Sequence, residues 1–250
     1  MTARMVALDL RRGPAALLTL ALLGLGGVLL LGTPAECAGR WPEAVISLRN
    51  NSAWLVIPAV LAAGVWRGGS ARRRHLSDVI GASSRPGWQR AAVEGGSIGL
   101  VGAATYLLLL ATVTVASDCT SALPTTSSAA AAVAGVLAIQ AAAFAGLALG
   151  RSAAAPMVAP LALFGAMSVT FVLGGWSGEG SDAMLLLPSL DEGIAAGQLS
   201  VSASLGQTLW FAGLAVSGWL CASRWPARVN ATSLVPALGG LAGLAALSLL

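Results

Sequence analysis

The stretch that decides the fold is residues 129–150, AAAAVAGVLAIQAAAFAGLALG. It contains no charge and only one polar side chain long enough to reach outward, Gln140. A helix of ~20 mostly apolar residues covers the ~30 Å hydrocarbon layer of a bilayer. No soluble helix exposes such a surface on every side. Working outward, further apolar runs recur at roughly 13–32, 52–66, 91–116, 155–175, 206–223 and 232–250. The expected fold is therefore all-α, a polytopic bundle of transmembrane helices with six core spans and a seventh. In residue terms it is a six-span membrane domain over 1–223, followed by a short loop and an extra span over 224–250.

Composition agrees. Hydrophobic residues make up 56% of the 250, charged residues 10%, and mean hydropathy is +0.81. Soluble domains carry roughly a quarter charged residues, so a soluble enzyme or a disordered tail is excluded. All 14 basic residues are Arg, gathered in a few short loops. That distribution argues against nucleic acid as a partner and for topology. The basic start, Met1 to Arg12, precedes an apolar run long enough to remain as a first span. The last span ends at Leu249-Leu250 without a polar flank, as in the membrane part of a longer product.

A cytoplasmic N-terminus places 12 of the 14 Arg residues on the cytoplasmic side and leaves only Arg40 and Arg49 outside. Glu36, Glu43, Asp118, Glu179, Asp182, Asp191 and Glu192 then fall outside. The chain thus reads as a multi-pass protein of the cytoplasmic membrane. Trp54, Trp66, Trp176, Trp210 and Trp225 sit near predicted helix ends, where an indole buries its ring and keeps its N–H wet.

Two loops carry information. Residues 67–90 read RGGSARRRHLSDVIGASSRPGWQR. Ser70 can cap a short helix, Leu76, Val79 and Ile80 recur at helical spacing, and Pro86 ends the run. This gives a short amphipathic helix on the cytoplasmic surface, read either as a basic loop held by anionic headgroups or as a docking helix. Residues 177–204 hold Met184-Leu185-Leu186-Leu187-Pro188 and then Asp191, Glu192, Gly193 and Gly197. An apolar run too short to span, broken by Pro and Gly, reads as a re-entrant or interfacial segment outside the membrane.

The first loop resembles the cytoplasmic loop of ABC-2-type transporter permeases. Arg72-Arg73-Arg74, Leu76, Asp78, Val79-Ile80, Ser83-Ser84, Arg85-Pro86 and Trp88 occupy that family's pattern, while Ser70-Ala71 stand where an acidic residue is usual. The resemblance is specific over 64–90. It implies a coupling helix seated in a separately encoded cytosolic ATPase, a homodimer or a heterodimer with a second permease, and an export path between the copies. Permeases of that family also place short helices between their last two core spans, as 177–204 would be.

No Gly-x-x-x-x-Gly-Lys-Ser/Thr occurs and there is no Lys, so ATP would be hydrolysed on a partner subunit and the chain itself carries no cofactor. The single His75 excludes a His-rich metal site. No ionisable group is expected deep within a span, which disfavours an ion-coupled carrier. Gln140 at mid-span is expected to glue helices or contact a pathway, and Glu94 to reach the cytoplasmic interface. Cys37 and Cys119 both fall outside, where a disulfide can join them. Gly95/Gly99 and Gly146/Gly150 permit close helix approach without identifying a dimer face. The alternative to a permease is a multi-span anchor or scaffold for an extracytoplasmic domain or partner, without transport.

Overall fold

The computed structural model describes residues 41–73, 86–116, 126–153, 155–176, 186–188, 201–224 and 231–248, and among these no strand occurs. The helices are α1 (Trp41–Trp54), α2 (Val56–Gly68), a single turn α3 (Ser70–Arg73), α4 (Gly87–Ala116), α5 (Thr126–Ser152), α6 (Val158–Trp176), α7 (Val201–Ser223) and α8 (Val235–Ser248), the last preceded by a 3₁₀ turn, Ala231–Leu234. Among the described residues three stretches are long and apolar enough to cross a membrane: Gly87–Thr112, Ala129–Ser152 and Val201–Ser223. They make this a membrane protein. Two shorter apolar helices, Val158–Val172 and Thr232–Leu247, accompany them. The expected first span at 13–32 lies outside the described residues.

The expected second span differs from the structure in an informative way. Helix begins at Trp41, eleven residues before the apolar run at 52, and breaks between α1 and α2 at Leu55. Pro58 accounts for the break. Its nitrogen cannot donate to the carbonyl of Trp54 four residues back, and its ring collides with that carbonyl. The ladder carries on around the fault, since the Leu55 amide donates to Asn51 (3.2 Å) and the Ala59 amide to Leu55 (3.1 Å).

Helix α5 lies at the centre, packed on α2, α4 and α7, while α6 rests on the far side of α2 and α8 on the far side of α7. The α2–α5 seam is made by glycines on both helices. A β-carbon at Gly64 would lie 2.7 Å from the Ala143 carbonyl oxygen. At Gly68, Gly146 and Gly150 it would come closer still to the carbonyls of Leu147, Leu61 and Val65. Four-residue spacing puts each pair on one face, and with only hydrogen there the two backbones touch. Gly95 and Gly99 serve inside the chain too, facing Phe144 and Gln140.

The core follows from that seam. Val56, Val60, Ile98, Tyr106, Leu109, Ala131 and Ile139 form one buried cluster shared by α2, α4 and α5. The outer helices keep apolar surface uncovered, with Leu161, Phe164 and Phe171 of α6 each more than 60% exposed. In water such a face would aggregate, whereas against lipid tails it carries no penalty.

Candidate functional site

Polar chemistry concentrates at the two ends of the bundle. At one end, α2 and α5 finish, α4 begins and α7 finishes. Arg151, in the last turn of α5, makes a 2.7 Å ion pair with Glu94 of α4 and also donates to the carbonyl of Ala222 in α7. Their side chains are only 11% and 29% exposed. Glu94, expected to reach the cytoplasmic interface, is paired here with Arg151. The arginine meets orphan carbonyls at the end of α7, where the helix dipole favours a cation.

The stems of the loop 67–90 attach at this same end. Arg72 donates to the Ser152 carbonyl at the end of α5 (3.2 Å). Arg73 folds back on α2, with its guanidinium carbon 4.3 Å from the Trp66 ring centroid and a nitrogen donating to the Trp66 carbonyl. Ser70 donates to the Arg67 carbonyl (2.6 Å) and so closes α2. On the returning stem, the Pro86 carbonyl accepts the Gln89 amide (3.1 Å) in the first turn of α4. Trp88 packs edge-on against Trp219 of α7 at 6.5 Å, and the Trp219 indole N–H donates to the Trp88 carbonyl (3.1 Å). Both stems are therefore fastened to α5 and α7. Arg74, Leu76, Asp78, Val79, Ile80 and Arg85, between them, lie outside the described residues, as do Cys37 and Cys119.

Midway along α5, Gln140 lies across the Gly95/Gly99 face of α4, and its amide reaches the Gly95 carbonyl at 3.5 Å. That is interhelical glue, and Gln140 is set apart from the polar groups at either end.

The opposite end holds what the sequence reading missed. Arg49, expected in an outer loop, sits on α1 with 1% of its surface exposed. The sequence reading places Arg49 outside the membrane and names no partner for it. Nε donates to the Pro188 carbonyl (2.8 Å), Nη1 to the Ala131 carbonyl (3.4 Å) and Nη2 to Oε1 of the equally buried Gln207 (2.8 Å). One guanidinium thereby joins α1, the start of α5, the start of α7 and the short segment Leu186–Pro188. That segment is held a second time by the Trp210 indole, which donates to the Leu186 carbonyl (3.2 Å).

All three acceptors are neutral oxygens, and among the described residues no carboxylate reaches Arg49. Two more buried hydroxyls lie on the neighbouring helices α4 and α7. Tyr106 is fully buried and its oxygen stands against Gly135, one turn along α5 from Ala131. Ser204 is one turn before Gln207 on α7, so the two share a face. Among the described residues neither hydroxyl has a hydrogen-bond partner. Among the described residues there is no cluster of His, Cys, Asp and Glu able to hold a metal ion.

A signal for Arg49 was present in SLRNNS (47–52), a lone Arg within a polar run just ahead of an apolar one. Charge counting assigns such a residue to a loop, because the count weighs sign and position but not partners. No protein-family model, no curated protein and no solved structure matches the chain.

Proposed function

We propose that this chain is the transmembrane permease subunit of an ABC-2-like exporter, a multi-pass protein of the cytoplasmic membrane with six core spans and a seventh. Its N-terminus and the loop 67–90 face the cytoplasm, where Arg72, Arg73, Arg74, Leu76, Asp78, Val79, Ile80, Arg85, Pro86 and Trp88 meet a separate ATPase. ATP belongs to that partner. Two permease copies, identical or sister, enclose the path.

The observation that carries this reading is the fastening of both stems of the loop. Arg72 holds one stem to the end of α5, and Trp88 with Trp219 holds the other to the end of α7. The Arg151–Glu94 pair ties α4 and α5 together beside them, and its bond to Ala222 adds α7. A protein that displaces the loop therefore displaces three packed helices as a unit, since close-packed interiors transmit strain. A basic loop held only by lipid headgroups has no need of such stems.

The second reading is a static anchor. It is favoured by the Arg49 knot, which fastens the other end of the same helices.

Native co-purification separates the two. The N-terminally tagged chain is extracted in mild detergent and its companions are identified by mass spectrometry. The permease reading expects a stoichiometric P-loop ATPase, lost when Leu76→Ala and Ile80→Ala are combined, with membrane insertion unchanged. An extracytoplasmic partner with no ATPase selects the anchor.

A further inference from the structure

The Arg49 guanidinium has five N–H donors, and its three hydrogen bonds use three of them. Two remain without a partner among the described residues. Arginine stays charged when buried, because its proton is held too tightly to be lost. A buried cation therefore needs an anion, and neutral oxygens solvate its charge without cancelling it.

Two further donors lie on the helices packed around it: the Tyr106 hydroxyl, on α4, and the Ser204 hydroxyl, on α7 one turn from Gln207, are both buried and without a partner among the described residues. An unpaired buried hydroxyl is costly, so two of them near a cation that no described carboxylate reaches mark unfilled hydrogen-bonding capacity. Planar N–H pairs and hydroxyls are the donors that carboxylate and phosphate oxygens take up. At the same level of the bundle, Leu107 and Leu108 of α4, Val133 of α5, and Leu205 and Leu209 of α7 expose apolar surface. Charge recognition inside an apolar collar fits an anion attached to hydrocarbon better than a free ion.

We propose that Arg49, Tyr106 and Ser204 form a binding site for an oxyanion, carried as the carboxylate or phosphate headgroup of an amphiphile lying against the Arg49 end of the bundle. Gln207 orients the guanidinium through its Nη2 bond. The proposal goes beyond the permease reading and does not depend on it, because every residue of the site lies in this chain.

The test uses the full-length protein purified in neutral detergent and given equal amounts of phosphatidylglycerol and phosphatidylcholine. Retained lipid is counted by native mass spectrometry, and melting is followed with and without inorganic phosphate. The wild type should retain the anionic lipid about tenfold over the zwitterionic one, the ratio that one added charge-assisted contact supplies. Arg49→Gln should abolish the preference, and Arg49→Lys, which keeps the charge but loses the planar fork, should reduce it. Tyr106→Phe removes one oxygen and leaves the shape intact, so its loss of preference stands even if Arg49→Gln does not fold. Displacement of phosphatidylglycerol by phosphate assigns the site to the headgroup. Stabilisation by phosphate alone assigns it to a free oxyanion and overturns the amphiphile. Equal retention of both lipids by wild type and Tyr106→Phe, with no effect of phosphate, overturns the site altogether.

Discussion

The bundle carries an arginine at each end, Arg49 buried and Arg151 partly so, and the two are satisfied in opposite ways. Arg151 faces a carboxylate and a helix C-terminus, so both its charge and its hydrogen bonds are answered within the chain. Arg49 faces two backbone carbonyls and an amide, and among the described residues no carboxylate reaches it. A charge-balanced clamp holds helices together and asks for nothing more, whereas an unbalanced one leaves an appetite for an anion. The contrast separates a structural arginine from one with chemistry to spare.

The sharpest way to break the comparison is to replace each arginine by methionine and follow unfolding in detergent. Arg49→Met withdraws the guanidinium donors from Gln207 Oε1 and from the Pro188 and Ala131 carbonyls, and a loss of about 2–4 kcal/mol is expected. A loss below that of Arg151→Met would reverse the ranking of the two ends. Arg151→Met strands the Glu94 carboxylate and should cost about 1–2 kcal/mol, tempered by the exposure Glu94 retains. Adding Glu94→Met should then restore stability to within about 0.5 kcal/mol, since removing both partners of a pair is far milder than removing one. Failure of that rescue would show that the bond to Ala222, not the ion pair, matters most. Gln207→Leu should cost about 1 kcal/mol by withdrawing one acceptor from the cation. Tyr106→Phe, stripped of lipid, should unfold within about 0.5 kcal/mol of wild type or slightly later, because the hydroxyl it removes has no partner among the described residues. A marked destabilisation by that change would reveal a bond to the Tyr106 oxygen.

The same two ends explain what could be read in the sequence. The apolar runs at 91–116, 129–150 and 206–223 stand as α4, α5 and α7 because hydropathy is a local sum, and twenty neighbouring residues suffice to define it. Helix α1 escaped that sum because Glu43, Arg49, Asn50 and Asn51 dilute it, although the backbone there is helical. Arg49 escaped for a different reason. Its partners Ala131, Pro188 and Gln207 are 82, 139 and 158 residues away, and Gln207 carries no charge that a pairing rule would look for. Gln140 was legible as an amide needing a partner across a helix face, and its amide reaches the Gly95 carbonyl. Glu94 was legible only as a residue near an end, since its partner Arg151 follows 57 residues later.

The glycine seam between α2 and α5 has a consequence for how the protein is made. Gly64 and Gly146 are 82 positions apart, so at ~5–20 residues per second ribosomal synthesis leaves about 4–16 s between their appearances. Throughout that interval the nascent α2 has no partner for its bare glycine face, and α4, which is made in between, does not supply one. Lipid or the insertion machinery must shelter it until α5 arrives. A ribosome stalled before residue 146 should therefore leave an α2 that remains accessible to crosslinkers, and release past residue 150 should close it.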